Sequence, residues 1–226
     1  MQLFGRLMAF NLSGGLCVSV LGFFAANRQT QPVICLFIAI FCGSVAPLAH
    51  AATYTQDLND FISLQVKPLA DSDIVIDSLN QANEKHEGIS ELNLVALDDI
   101  WRSELRKITQ PLISKIIVND LSKFLVKMVE GGQGVYTQIT VIDIKGLNIG
   151  QTVISQNYWN VGKPRWDRIF TVNSSLPYIS DVYFSDETNK FQVEVSFMVI
   201  SDEKPIGIVA AGIDVEQLEG WKKRRK

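Results

Sequence analysis

ITVIDIKGLNIGQT (139–152), then YWNVGKPRWDRIF (158–170), then FQVEVSFMVISDEKPIGIVAAGIDV (191–215): these stretches, in this order, decide the fold. In the first, 136–143 reads as a strand of period two, Lys145-Gly146 as a tight turn, and 147–152 as the returning strand of a hairpin. Strands 181–184 and 191–200 flank the polar turn SDETNK (185–190) and make a second hairpin. Along 191–200, Phe191, Val193, Val195, Phe197 and Val199 alternate with Gln192, Glu194, Ser196, Met198 and Ile200, the pattern of one buried and one wetter face. Asp202-Glu203-Lys204-Pro205 turns the chain into a last strand, 206–215, whose Gly207, Ala210, Ala211 and Gly212 leave room beside the backbone. That room suits either a helix packed close to the sheet or a ligand.

Upstream the period is helical. Leu58, Phe61, Ile62, Ile74, Val75, Leu79 and Ala82 mark one kinked helix or two, interrupted near Pro68. After Ser90, the residues Leu92, Val95, Trp101, Leu105 and Ile108 mark another, with Glu91 favourably placed near its N-terminus. Pro111 opens a third, with Leu112, Ile113, Ile116, Ile117, Leu121, Phe124, Leu125 and Met128 inward, stopped by Gly131, Gly132 and Gly134.

The first 52 residues carry no acid and two apolar stretches, 7–26 and 33–42. The second, preceded by Arg28 and followed by Pro47 and Ala49-His50-Ala51, has the form of a secretory signal cleaved after Ala51. The first could instead serve as a membrane anchor. The expected division is therefore 1–52 for targeting, 53–220 for one globular domain and 221–226 for a basic tail. All three cysteines, Cys17, Cys35 and Cys42, lie in the targeting region, so the domain has no disulfide, thiol nucleophile or cysteine-bound zinc. From residue 53 onward 19 basic side chains face 24 acidic ones, and without 222–226 the balance is −10, which argues against a nucleic-acid surface. The tail reads as a solvated terminus, or as a contact for anionic lipid or an acidic partner.

Catalysis is poorly supplied. His86 is the one histidine after residue 53 and lies in the polar run NEKHE, where a solvated surface position is expected. No metal site, cofactor or enzymatic activity is expected, and GGQG (131–134) lacks the helix and lysine of a phosphate loop. The segment 157–167 is different, since it gathers Tyr158, Trp159, Lys163, Arg165 and Trp166. Aromatic faces with polar handles beside a planar guanidinium suit a binding lid, although either tryptophan could equally be a core anchor. Asp143 reads as a turn cap. Asp214 divides between a helix cap and a partner for a ligand amine opposite Arg165. Tyr183, on the strand 181–184, completes the candidate set.

These segments resemble the Cache family of extracellular PAS-like sensor domains, also described as PDC sensors, over residues 57–218. The resemblance implies an α+β fold, with long N-terminal helices packed on a PAS-like, mainly antiparallel sheet of about five or six strands and a ligand pocket on the other face. In members that bind amino acids, a loop with Tyr, Arg and Trp holds the carboxylate and an acid on the last strand holds the amine. Here Tyr158, Arg165 and Trp166 fall in that loop and Asp214 ends that strand. The expectation is a free-standing single Cache domain, exported or tethered by its N-terminus, that binds an amino acid or carboxylate and acts through a membrane receptor or kinase. The rival is a periplasmic structural or protein-interaction module of the same fold with no small ligand, which would bury Trp159 and Trp166 and leave no cavity beside Arg165.

Overall fold

The computed structural model describes residues 46–171 and 176–224. The two apolar stretches read as targeting segments, the cysteines and the last two basic residues lie outside them. Helix α1 (Ala46–Phe61) runs through a π turn (Ile62–Val66) into α2 (Lys67–Ala70). The wide turn precedes Pro68, which lacks the N–H that an α turn would use there. Ser72 breaks the helix, its hydroxyl donating to the Leu69 carbonyl, and α3 (Asp73–Lys85) follows. Among the described residues no helix is long and apolar enough to cross a membrane.

Helix α4 (Glu91–Glu104) starts at Ser90, whose hydroxyl accepts from the Asn93 N–H. Its buried face corrects the expectation. Leu94, Asp98, Trp101 and Glu104 point inward, while Leu92 is 78% exposed and Val95 and Ile108 face solvent. The two acids are buried because each accepts backbone N–H groups. Glu104 takes those of Leu112 and Ile113 at the start of α5 (Pro111–Ile117). The expected third helix is two, because Asn119 ends the first and caps α6 (Asp120–Gly131), accepting from the Ser122 N–H at 2.7 Å.

Strands β1 (Tyr136–Asp143), β2 (Asn148–Gln151), β3 (Tyr178–Ile179), β4 (Tyr183–Ser185), β5 (Lys190–Ser201) and β6 (Lys204–Asp214) form an antiparallel sheet in the order β2-β1-β6-β5-β3, with β4 also on β5. The fold is α+β, as expected. A short helix α7 (Pro164–Trp166) and a π turn (Asp167–Thr171) lie between β2 and β3, and α8 (Val215–Leu218) and α9 (Trp221–Arg224) follow β6.

One face of the sheet meets the helices. Ile139, Val141, Val193, Val195, Val199, Val209, Ala211 and Ile213 pack there with Leu58, Phe61, Val66, Val75, Leu79, Leu121 and Leu125. Gly207 belongs to this face: a Cβ on it would lie 2.4 Å from Leu79 and 2.5 Å from the Ile142 carbonyl, so α3 packs against bare backbone. Trp221, grouped with the tail on sequence, is buried in this core with its ring 4.9 Å from Phe61.

His86 is buried too, against expectation. Its Nδ1 lies 2.6 Å from Asp143 Oδ2, while Asp143 Oδ1 accepts the N–H groups of Lys145 and Leu147 in the β1–β2 turn. Asp143 thus caps its turn, as read, and also holds the end of α3. Asn83 adds to this clamp by donating to the Ile206 carbonyl and accepting from the Ile144 N–H.

Candidate functional site

The face of the sheet turned away from the main core is built in rows, because residues paired across antiparallel strands point to the same side. Asn148, Ile142, Ile208 and Met198 form one row. Gln151, Thr140, Ala210, Ser196 and Tyr178 form the next, crossing all the way from β2 to β3. Gln138, Gly212 and Glu194 form a third, and Asp214, Gln192 and Tyr183 end the series.

The two middle rows are polar and yet buried: Gln138, Thr140, Gln151, Glu194 and Ser196 are all nearly inaccessible. Buried polar atoms ordinarily find partners. Here the hydroxyl of Ser196, 0% exposed, and the amide nitrogen of Gln151 have none. Within these two rows stand Ala210 and Gly212, the smallest residues of the face. A Cβ on Gly212 would lie 2.2 Å from Thr137 Oγ1 and 3.1 Å from the Gln192 amide, so the backbone is approached on this side as well.

The segment after β2 covers these rows. Trp166 stacks on Phe170, 4.2 Å between rings, and both pack with Ile169 over the apolar row at Ile142, Ile208 and Met198. From the same short helix Arg165 reaches the polar rows and donates to Glu194 Oε2 at 2.9 Å. Burial pushes the Glu194 carboxyl above its ordinary value; Arg165 opposes that rise and Glu187 adds to it. Tyr183 is half-exposed at the margin, its phenol oxygen accepting from the Gln192 amide, and burial with the nearby Glu194 charge raises its titration.

Of the six residues expected at the site, the structure puts Arg165 on the polar rows, Trp166 beside it over the apolar row, and Tyr183 at their edge. Tyr158 and Trp159 are elsewhere. Tyr158 is buried, stacked on Trp101 at 5.1 Å, and its phenol is held protonated to high pH by burial and by Asp143. Trp159 donates from its indole to the Lys145 carbonyl. Asp98 accepts the N–H groups of both residues, so the pair anchors the covering loop to α4 and to the β1–β2 turn.

Of the two roles open to Asp214, the structure shows the helix cap. Asp214 Oδ1 accepts the N–H groups of Glu216 and Gln217 at the start of α8, and its Oδ2 pairs with Lys190 at 2.9 Å. The backbone next to a strand-ending acid offers free N–H groups at once, which favours the cap. A cleft of about 220 Å³ opens beside this pair, lined by Phe184, Lys190, Phe191 and Asp214 among others, so Asp214 borders space but both its oxygens are engaged.

The acid facing Arg165 is instead Glu194, which the sequence reading passed over together with Ser196, Gln138, Thr140 and Gln151. Their signal was present as the wetter face of strand 191–200. That this face is roofed, and by which loop, is a tertiary fact.

No protein-family model and no curated protein matches the chain. Among solved structures it is similar to the sensory domain of the Campylobacter jejuni chemoreceptor Tlp3 (CcmL), with 11% identity and a TM-score of 0.38 over 76% of this chain and 67% of that one. It is also similar to the extracellular domain of a protein described as a histidine kinase, vpHK1S-Z8, with 14% identity and a TM-score of 0.44 over 76% of this chain and 56% of that one. A third is a domain of a protein described as a sensory box/GGDEF family member from Vibrio parahaemolyticus, at 13% identity and a TM-score of 0.42, covering 74% and 57%. The chain thus spans about two thirds or less of the length of these domains.

Proposed function

We propose that the protein is a periplasmic sensor domain that binds a small amino acid or carboxylate on the polar rows of its sheet and acts through a membrane receptor or kinase. One observation carries the reading. Two of the four buried side-chain groups without partners among the described residues, Ser196 Oγ and Gln151 Nε2, lie on the face that Arg165 and Trp166 cover, the other two being the Tyr54 and Tyr136 hydroxyls of the main core. Hydrogen-bonding groups held out of water in a folded domain suit a polar ligand that arrives with its own acceptors and donors. The acidic balance of the body supports a small-molecule partner over a nucleic acid. A Tlp3 sensory domain has been solved with isoleucine bound and with L-valine, which makes amino acids the natural first probes.

The test is a thermal-shift screen of the full chain against amino acids, short carboxylates and amines, since a ligand bound only by the folded state raises the Tm. A saturable rise is expected, and Arg165→Ala should weaken it by about 1.5–3 kcal/mol through loss of a charged hydrogen bond. A flat screen favours the second reading, a periplasmic protein-interaction module. The observation behind that alternative is the exposed aromatic pair Phe184 and Phe191, 5.3 Å apart at the edge of the sheet.

A further inference from the structure

The ion pair under the loop sets a condition on what can bind. The side chains of Arg165 and Glu194 are 22% and 7% exposed, and they satisfy each other at 2.9 Å. Glu194 is fixed from behind, because its N–H donates to Ser180 Oγ and its carbonyl accepts the Ser180 N–H, so its strand position does not yield. The charged and titratable groups around it, among the described residues, are Arg165 from α7, Glu187 from the β4–β5 turn and Tyr183 from β4. Its neighbours in the row on β6 and β1 are Gly212 and Gln138, both uncharged. Among the described residues Arg165 is the cation paired with Glu194, and Glu187 works against the carboxylate.

A ligand carboxylate that takes the guanidinium removes that cation from a buried carboxylate. An ionised carboxylate left buried and unpaired is strongly disfavoured, so something must neutralise Glu194 in the same step. Two species can do so. An ammonium carried by the ligand, a few ångströms from its carboxylate, replaces the guanidinium on Glu194 and restores a closed set of charges. Otherwise a proton from solvent converts Glu194 to the neutral carboxyl, which then donates a hydrogen bond instead of needing a cation.

Resting on the reading that this face is the ligand site, we infer that Glu194 is its selectivity element: it admits ligands that carry an ammonium beside their anion, and admits a simple carboxylate only together with one proton. Gln138 and the unpartnered Ser196 hydroxyl flank Glu194 on the same face and supply neutral donors and acceptors to either class.

The test compares α-amino acids with their des-amino carboxylates on the full chain, by titration calorimetry between pH 6 and 8 in two buffers of different ionisation enthalpy. The expected result is no net proton for an amino acid, and uptake of one proton for the matched carboxylate, with affinity falling about tenfold per pH unit above the Glu194 titration. Glu194→Gln should flatten the carboxylate profile and erase at least about tenfold of the preference for the amine-bearing ligand. Carboxylates that bind wild type without proton uptake, or a Glu194→Gln protein that keeps the preference, would overturn the inference while leaving the ligand site standing. If neither class shifts wild type or a folded Glu194→Gln protein, the ligand-site reading itself fails. The proton count on wild type needs no variant, so a Glu194→Gln chain that does not fold leaves the test intact.

Discussion

Ser196 contributes nothing to folding through its hydroxyl, since that oxygen has no partner and no access to water. Ser196→Ala is therefore expected to leave stability unchanged or to raise it by up to about 1–3 kcal/mol, the penalty of an unsatisfied buried polar group, while weakening ligand binding. Urea unfolding beside calorimetry checks both; a marked loss of stability would show that the hydroxyl is bonded after all. Glu194 makes a second prediction, with a defined sign. Its folded titration lies above the ordinary carboxyl value of 4.5, so the native state holds a proton that the unfolded chain has released, and stability falls as pH rises from that value through the folded one. Glu194→Gln should flatten this part of the stability profile. The alternation of Gln192, Glu194 and Ser196 was legible in the sequence, but Glu194's partner lies 29 positions upstream on another element, and no local pattern announces such a pairing. Asp214 shows the opposite limit: two roles were open to it, and contact with its own next turn decided for the cap.

At the level of elements, two clamps hold the site in place. The first joins the end of α3 to the β1–β2 turn through His86 and Asp143, which is 0% exposed. His86→Ala strips Asp143 Oδ2 of its partner in a buried setting, so a loss of about 1–3 kcal/mol is expected, visible as a lower denaturant midpoint at unchanged m-value. The second clamp ties the covering loop to α4: Asp98 accepts the N–H groups of Tyr158 and Trp159, Trp101 donates to the Ser155 carbonyl, and Arg102 donates to Asn157. Asp98→Ala should speed amide exchange across 155–160 by about tenfold or more, with little change in the strands. Unchanged exchange there would mean the loop is held by other contacts. Neither clamp could be read from periodicity. A buried acid such as Asp98 looks like a solvent-facing position in an amphipathic pattern, which is why the inward side of α4 was assigned to Leu92 and Val95. Strand alternation was read more faithfully, because it has only two phases to choose between.

Across the whole molecule, the proposed reading makes the sheet a partition, with the main helix-packed core on one side and the face assigned to recognition on the other. Two glycines of β6 test this division. Gly207 faces Leu79 of α3, and Gly212 faces Thr137 and Gln192. Gly207→Ala should lower stability by about 1–3 kcal/mol through overpacking and leave the response to ligand in place, whereas Gly212→Ala should disturb ligand binding directly. The same loss of ligand response from both variants would refute the partition. One consequence of the row pattern reaches back to how the chain folds. A strand that slipped by a single position would turn Gln138, Gln151, Glu194 or Ser196 into the helix-facing core and send valines and isoleucines outward. The polarity of the face proposed for recognition thus also proofreads strand alignment, and a substitution that made that face apolar would remove the penalty that keeps the sheet in register.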